Sequence, residues 1–261
     1  GDDPAPGTTS DPNDTTDGGT TTTDPNRHQS DAFDHVEIGG REGVLDPENN
    51  RPHLVRVWND ADRKRTLGLH VAADGETRLD REIEFPARGY LDASLLTPAT
   101  YTVRVRVGGD AEQISVPRSR FDCNGSVTAI HVGPDGGVTS QTRSSGVACP
   151  TTVIDHGIET TETGCGNGEN GATLSVDGER ATITGTIAAS TPCHVATLQR
   201  AGYEDGEFVV TVGTKDDDSD ACVQCLGAVD YEATLTFDGA APPIRVVHDA
   251  LDGDVTVART E

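Results

Sequence analysis

Apolar and polar residues alternate with period two through most of this chain after its first thirty residues. Tyr101, Val103, Val105 and Val107 are interleaved with Thr102, Arg104 and Arg106. Ile183, Gly185 and Ile187 are interleaved with Thr182, Thr184 and Thr186, and Tyr231, Ala233, Leu235 and Phe237 with Glu232, Thr234 and Thr236. Successive side chains of a strand point to opposite faces, so each run puts one apolar row on one face. No segment sustains the 3.6-residue period and caps of an amphipathic helix. The same reading predicts strands at His53–Trp58, Thr66–Ala72, Arg78–Phe85, Gln113–Val116, Ser126–Val132, Leu174–Val176, His194–Gln199, Phe208–Val212, Ile244–His248 and Val255–Ala258. Turn pairs punctuate them: Asn59-Asp60, Asp74-Gly75, Gly108-Gly109, Asp135-Gly136, Asp177-Gly178, Asp205-Gly206 and Asp252-Gly253. Many short strands at regular spacing, with turns between, predict an all-β chain of antiparallel β-sandwiches.

The chain divides into three. Residues 1–30 hold eight Thr, six Asp, four Pro, four Gly and a single apolar side chain, Ala5. Such a segment has nothing to bury against the entropy of ordering, so it reads as a polar tether. Residues 31–149 and 150–261 form two sandwiches, divided near Pro150, with 151–164 as a linker or the first edge strand of the second. Each half has about seven to nine strands, the count of an immunoglobulin-like sandwich. Valine outnumbers leucine 25 to 13, which suits a pleated, half-buried surface.

The charge balance limits where such a chain can live. Asp and Glu total 44 against 20 Lys and Arg, a net charge of −24, and only Lys64 and Lys215 are lysines. Self-repulsion on this scale weakens a compact state in dilute buffer. Above roughly 1 M salt the screening length falls to about 3 Å, so the composition fits concentrated salt. With no basic patch to neutralise phosphates, nucleic acid is not an expected partner. No run approaches the ~20 apolar residues of a membrane helix. The sequence has no Met, and Gly1 reads as a processed terminus from which a signal peptide has been removed.

Six cysteines occur: Cys123, Cys149, Cys165, Cys193, Cys222 and Cys225. An even number in a small-stranded, export-like chain predicts disulfides and an oxidising compartment. Cys123 and Cys149 flank a hairpin and are expected to pair. Closure between Cys222 and Cys225 is the least favourable geometry, so Cys165 and Cys193 should each take one member of that pair, in either assignment. A structural zinc site needs a second short-spaced pair, which is missing, and a redox CxxC needs a helix N-terminus.

Other candidates carry less. The run KDDDSD offers Asp216, Asp217, Asp218 and Asp220 as calcium ligands, but it lacks EF-hand spacing and reads as a solvated acidic turn. His248-Asp249 and Cys193-His194 have no nucleophile context around them. No catalytic residue, cofactor or resident metal is expected. Asn13 and Asn124 lie in sequons where a glycan would be solvated, and Thr20–Thr23 would suit an O-glycan stalk. Trp58, the single Trp, reads as a core or rim plug.

Three segments of the first unit, HLVRVWNDADRKRTLGLHV, ATYTVRVRVGG and SVTAIHVGPDGGV, resemble the immunoglobulin-like modules of haloarchaeal secreted lipoproteins. In the second unit, CHVATLQRAGYEDGEFVVTVGT, ACVQCLGAVDYEATLTF and PPIRVVHD are similar to another β-module of that group. Together they span most of residues 33–258. The resemblance implies a lipobox cysteine just ahead of Gly1, hence membrane attachment through an N-terminal lipid, and an extracellular, cell-surface location. It transfers no functional residue. The reading that follows is a non-catalytic surface protein of a salt-adapted archaeon that meets an envelope protein or glycan. The alternatives are a surface-layer or filament subunit assembling by strand addition through Phe33–Ile38, and a secreted metal-binding or hydrolase-accessory protein.

Overall fold

The computed structural model describes residues 31–218 and 221–260. Residues 1–30, read above as a tether and containing Asn13 and Thr20–Thr23, and Asp220 of the acidic run lie outside the described residues. The first unit contains β1 (Asp34–Ile38), β2 (His53–Asn59), β3 (Arg65–Ala73), β4 (Glu76–Phe85), β5 (Tyr90–Leu95), β6 (Tyr101–Val107), β7 (Asp110–Val116), a 3₁₀ turn at Arg118–Arg120, β8 (Ser126–Val132) and β9 (Val138–Ser144). They form two sheets, β1-β5-β2-β8-β9 and β4-β3-β6-β7. The second unit contains β10 (Val153–Cys165), β11 (Gly171–Asp177), β12 (Arg180–Ala189), β13 (His194–Glu204), β14 (Glu207–Asp216), β15 (Gly227–Phe237), β16 (Ile244–Ala250) and β17 (Gly253–Arg259). Its sheets run β10-β15-β12-β11 and β13-β14-β16-β17.

The apolar rows fill two cores. Tyr101, Val103 and Val105 face inward with Leu67, Leu69, Phe85, Leu91 and Ile130 in the first. Ile183, Ile187, Tyr231, Ala233, Leu235 and Phe237 face inward in the second, with Phe208 and Ile244. Burial of this kind supplies the main driving force for folding. The Asp-Gly pairs do their predicted work: Asp74 and Gly75 (φ 48° and 88°) and Asp205 and Gly206 (φ 49° and 88°) turn the β3–β4 and β13–β14 hairpins. Two successive residues at positive φ give the turn whose twist matches that of the strands.

Three features depart from the expectation. The sheets are not wholly antiparallel: β1 with β5, β2 with β8, and β14 with β16 are parallel. Between β2 and β8 the chain crosses to the opposite sheet and back twice, through β3–β4 and β6–β7, so the two strands can run the same way. Phe33–Ile38, which the surface-layer alternative would add to a neighbour, contains an edge strand of its own sheet, in register from Asp34↔Leu91 to Ile38↔Leu95. The boundary at residue 150 is also crossed: Leu45, from the β1–β2 connection, is 5% exposed within the second core.

The registers orient the molecule. The chain enters the first unit beside Tyr90, whose carbonyl accepts from the Phe33 N–H at 3.0 Å, at the end away from the second unit. Residues following Ile38 reach the junction, where the Asp46 N–H donates to the Ala201 carbonyl. In the second unit the Val153↔Phe237 end of β10 and β15 faces that junction, and the Cys165↔Gly227 end lies twelve residues along β10, about 40 Å away.

Candidate functional site

Each histidine buried in a core is tied to hydroxyls. His53 meets Ser126 Oγ at 2.7 Å through Nδ1 and Thr128 Oγ1 at 2.9 Å through Nε2. Ser126 Oγ in turn donates to the Arg120 carbonyl. All three side chains are sealed inside the first sandwich. Burial, with Arg120 nearby, pushes the His53 imidazole down to about 4, so it is neutral at pH 7. His248 is enclosed in the second core, with Nε2 2.8 Å from Tyr231 Oη, and burial pushes it down to about 4 as well. Its sequence neighbour Asp249 is exposed on the other face of β16. Cys193, beside His194, is in a disulfide.

Trp58 is not part of the core. It alternates with the inward Val55 and Val57, so the period of two places it on the outer face of β2. There it pairs across strands with Tyr90 (ring centroids 4.1 Å) and lies parallel to His131 (5.9 Å, 5° between planes). Arg56 covers Tyr90 at 4.5 Å and binds Asp92 through both Nε and Nη2, at 2.7 and 2.8 Å. Cross-strand ring and ion pairs of this kind stabilise a sheet face by a few tenths to about 1 kcal/mol each.

The junction is polar and closed. Asn50 is 1% exposed, and its Nδ2 lies within hydrogen-bond distance of the Leu45 carbonyl (3.0 Å) and of Thr152 Oγ1 (2.9 Å). Thr152 Oγ1 donates to Asp46 Oδ2 at 3.0 Å, and its N–H donates to Asp238 Oδ1. Arg118 donates to Asn50 Oδ1 and to the Val153 carbonyl, and Tyr203 Oη to the Thr151 carbonyl. Burial pushes the Asp46 carboxyl up, against hydrogen bonds from Asn49 and Thr152 that pull it down. A cavity of about 140 Å³ lies alongside, lined by Leu45, Asn50, Pro98, Arg118, Ile154 and His156. Sequence reasoning missed this junction, because Asp46, Asn50 and Thr152 sit in stretches with no periodicity.

At the far end of the second unit, Cys165 is bonded to Cys225 and Cys193 to Cys222. The two CVQC cysteines thus take different partners, one at the end of β10 and one just ahead of β13. Gly227 is required where the loop re-enters β15: a Cβ there would lie 2.1 Å from the Thr191 carbonyl oxygen. Val223 and Leu226 remain 65% and 48% exposed. In the neighbouring acidic run Asp216 turns to His194 Nε2 at 3.2 Å and the Asp217 N–H donates to the Cys193 carbonyl. Asp218 is exposed, and no cluster of three metal-ligating side chains occurs among the described residues.

In the first unit Cys123 is bonded to Cys149. Asn124, expected to carry a solvated glycan, is 4% exposed. Its Nδ2 donates to the Val147 carbonyl and its Oδ1 accepts the Val147 N–H, so the amide ties the disulfide loop and faces no solvent. This corrects the sequon reading: the folded loop uses the nitrogen a glycan would need.

Residues 54–147 match the model of the halobacterial Ig-like domain. The first sandwich is similar to that family over these residues. The match runs from β2 to just past β9 and therefore takes in Trp58, Tyr90 and His131 of the ring stack. The halobacterial Ig-like domain, the acidic surface and three disulfides together describe a salt-adapted protein suited to an oxidising exterior. No curated protein is significantly similar to this chain.

Proposed function

We propose that this is a non-catalytic cell-envelope protein of a salt-adapted archaeon, held to the membrane from its N-terminal side by a lipid, whose second sandwich is presented outward to a partner. The observation that carries the reading is the polarity of the molecule. The chain enters the halobacterial Ig-like domain at one end, and the stapled loops of the second unit stand at the other. Between them Leu45 and the Asp46–Asn50–Thr152 bonds join the units directly, so presentation does not depend on a slack linker. The composition of residues 1–30, polar with a single apolar side chain, supports a spacer.

The test is access on intact cells. An epitope inserted between Asn167 and Glu169, at the outward end, should be labelled by antibody on whole cells in their growth salt. An epitope between Gly133 and Gly137, at the tether end, should be labelled more weakly. Labelling that appears only after lysis defeats the proposal.

A further inference from the structure

Val223 and Leu226 are two of the seven exposed large apolar side chains among the described residues, and these two flank a disulfide-bonded cysteine on a chain whose charges are mostly carboxylates. Their backbone is not loose. Disulfides fix Cys222 and Cys225, the Cys225 N–H donates to the Val223 carbonyl at 3.1 Å, and the Gly166 N–H donates to the Leu226 carbonyl at 2.8 Å. Neither side chain joins the second core. Two staples therefore hold in place a short loop that buries almost nothing of its own. Exposed apolar groups on a prefixed backbone are what a docking surface needs, because little conformational freedom remains to be lost on binding.

The surroundings select the occupant. Asp216, Asp217 and Asp218 are exposed beside this loop, with the Asp216 side chain 85% exposed. Between Arg200 and Arg245 the sequence holds one cation, Lys215, against ten carboxylates. A second copy of this pole, an anionic lipid surface or another acidic protein face would bring like charges together. A segment with an apolar centre and basic flanks is complementary on both counts. In concentrated salt only carboxylate–cation pairs in contact escape screening, while excluded salts strengthen apolar burial.

We propose that the Val223–Leu226 loop is the docking surface for an extracellular protein segment that presents apolar side chains between lysines or arginines. The proposal rests on the outward presentation argued above and names its contact.

Fluorescence anisotropy of the full chain in about 3 M KCl tests it with three labelled peptides. One has a Leu-Val centre with Lys/Arg flanks, one the same centre with Asp/Glu flanks, and one a Ser-Thr centre with Lys/Arg flanks. The first should bind at least about tenfold more tightly than the others, and its affinity should hold or rise as salt is increased. Val223→Ser with Leu226→Ser should weaken it by about tenfold or more without moving the melting temperature. Equal binding of all three peptides, unchanged binding by the double variant, no binding by the wild type, or preferential binding to phosphatidylglycerol vesicles overturns the proposal. Epitope access on intact cells is read separately. Outward labelling combined with unaffected binding by the double variant removes this surface while leaving the presentation reading standing.

Discussion

The junction and the far pole of the second unit solve the same problem by different means. Both bring together loops from several strands, and both include residues that no periodic pattern specifies. At the junction the loops converge from two units, so Leu45 can be buried in the opposite core and Asn50, Thr152 and Asp46 can satisfy one another in the interior. At the far pole there is no second body to pack against. Val223 and Leu226 stay exposed, and order comes from Cys165–Cys225 and Cys193–Cys222. At the junction burial and noncovalent bonds tie the two units, with Cys123–Cys149 closing an adjoining loop; at the far pole two disulfides take the place of that burial.

Acid should have the largest effect, and it acts with opposite sign in the two cores and at the junction. His53 and His248 are held near 4 in the fold against an ordinary 6.5, so the unfolded state binds more protons between those values. Their neutral-form stability is complete above about pH 6.5 and is lost towards pH 4, by up to about 3 kcal/mol for each histidine. Asp46 acts with the opposite sign: its raised carboxyl makes the folded state the better proton acceptor, so its contribution improves as pH falls through its folded value. Chemical denaturation in concentrated KCl from pH 7 to pH 4 should show falling global stability. Asp46→Asn should steepen the fall, by removing the one compensating group at the junction.

Next in size is the staple. Cys165→Ser with Cys225→Ser opens a link between residues 60 apart and should cost about 4 kcal/mol in the chain-entropy account. Hydrogen exchange should speed up at the Cys165 end of β10 and the Gly227 end of β15, while the amides of Asp46 and Thr152 keep their protection. Loss of protection at both ends together would erase the distinction drawn here. Leu45→Ala should cost about 3 kcal/mol. The loss should register in β13 and β14 of the second unit, although residue 45 lies in the first. Calorimetry should then resolve two transitions where the wild type gives one.

The strands were legible because their signal is local. Tyr231, Ala233, Leu235 and Phe237 point inward for the same reason they alternate in sequence, and Asp205-Gly206 turns because of its own backbone preferences. Trp58 was equally readable: parity with Val55 and Val57 puts it outside, and only the habit of burying tryptophan argued otherwise. Strand β5 carried the same cue in Leu91, Ala93 and Leu95 but had no strong turn pair ahead of it. Asn124 shows the opposite case. A sequon is a chemical pattern of three residues, whereas the availability of its nitrogen depends on Val147, twenty-three residues away.

By itself, the sequence determined that this chain forms strands, that they bury one face, that its cysteines come in pairs and that its surface belongs in salt. Those properties follow from side-chain period, turn chemistry, thiol number and charge, each of which acts within a few residues or over the whole composition. Tertiary structure alone decided that three strand pairs run parallel, that Leu45 completes the other unit's core, that Asn124 is closed to solvent, and that Phe33 and the stapled loop stand at opposite ends. These depend on which distant segments meet, and the free energy of such meetings lies in shared burial that no single segment carries.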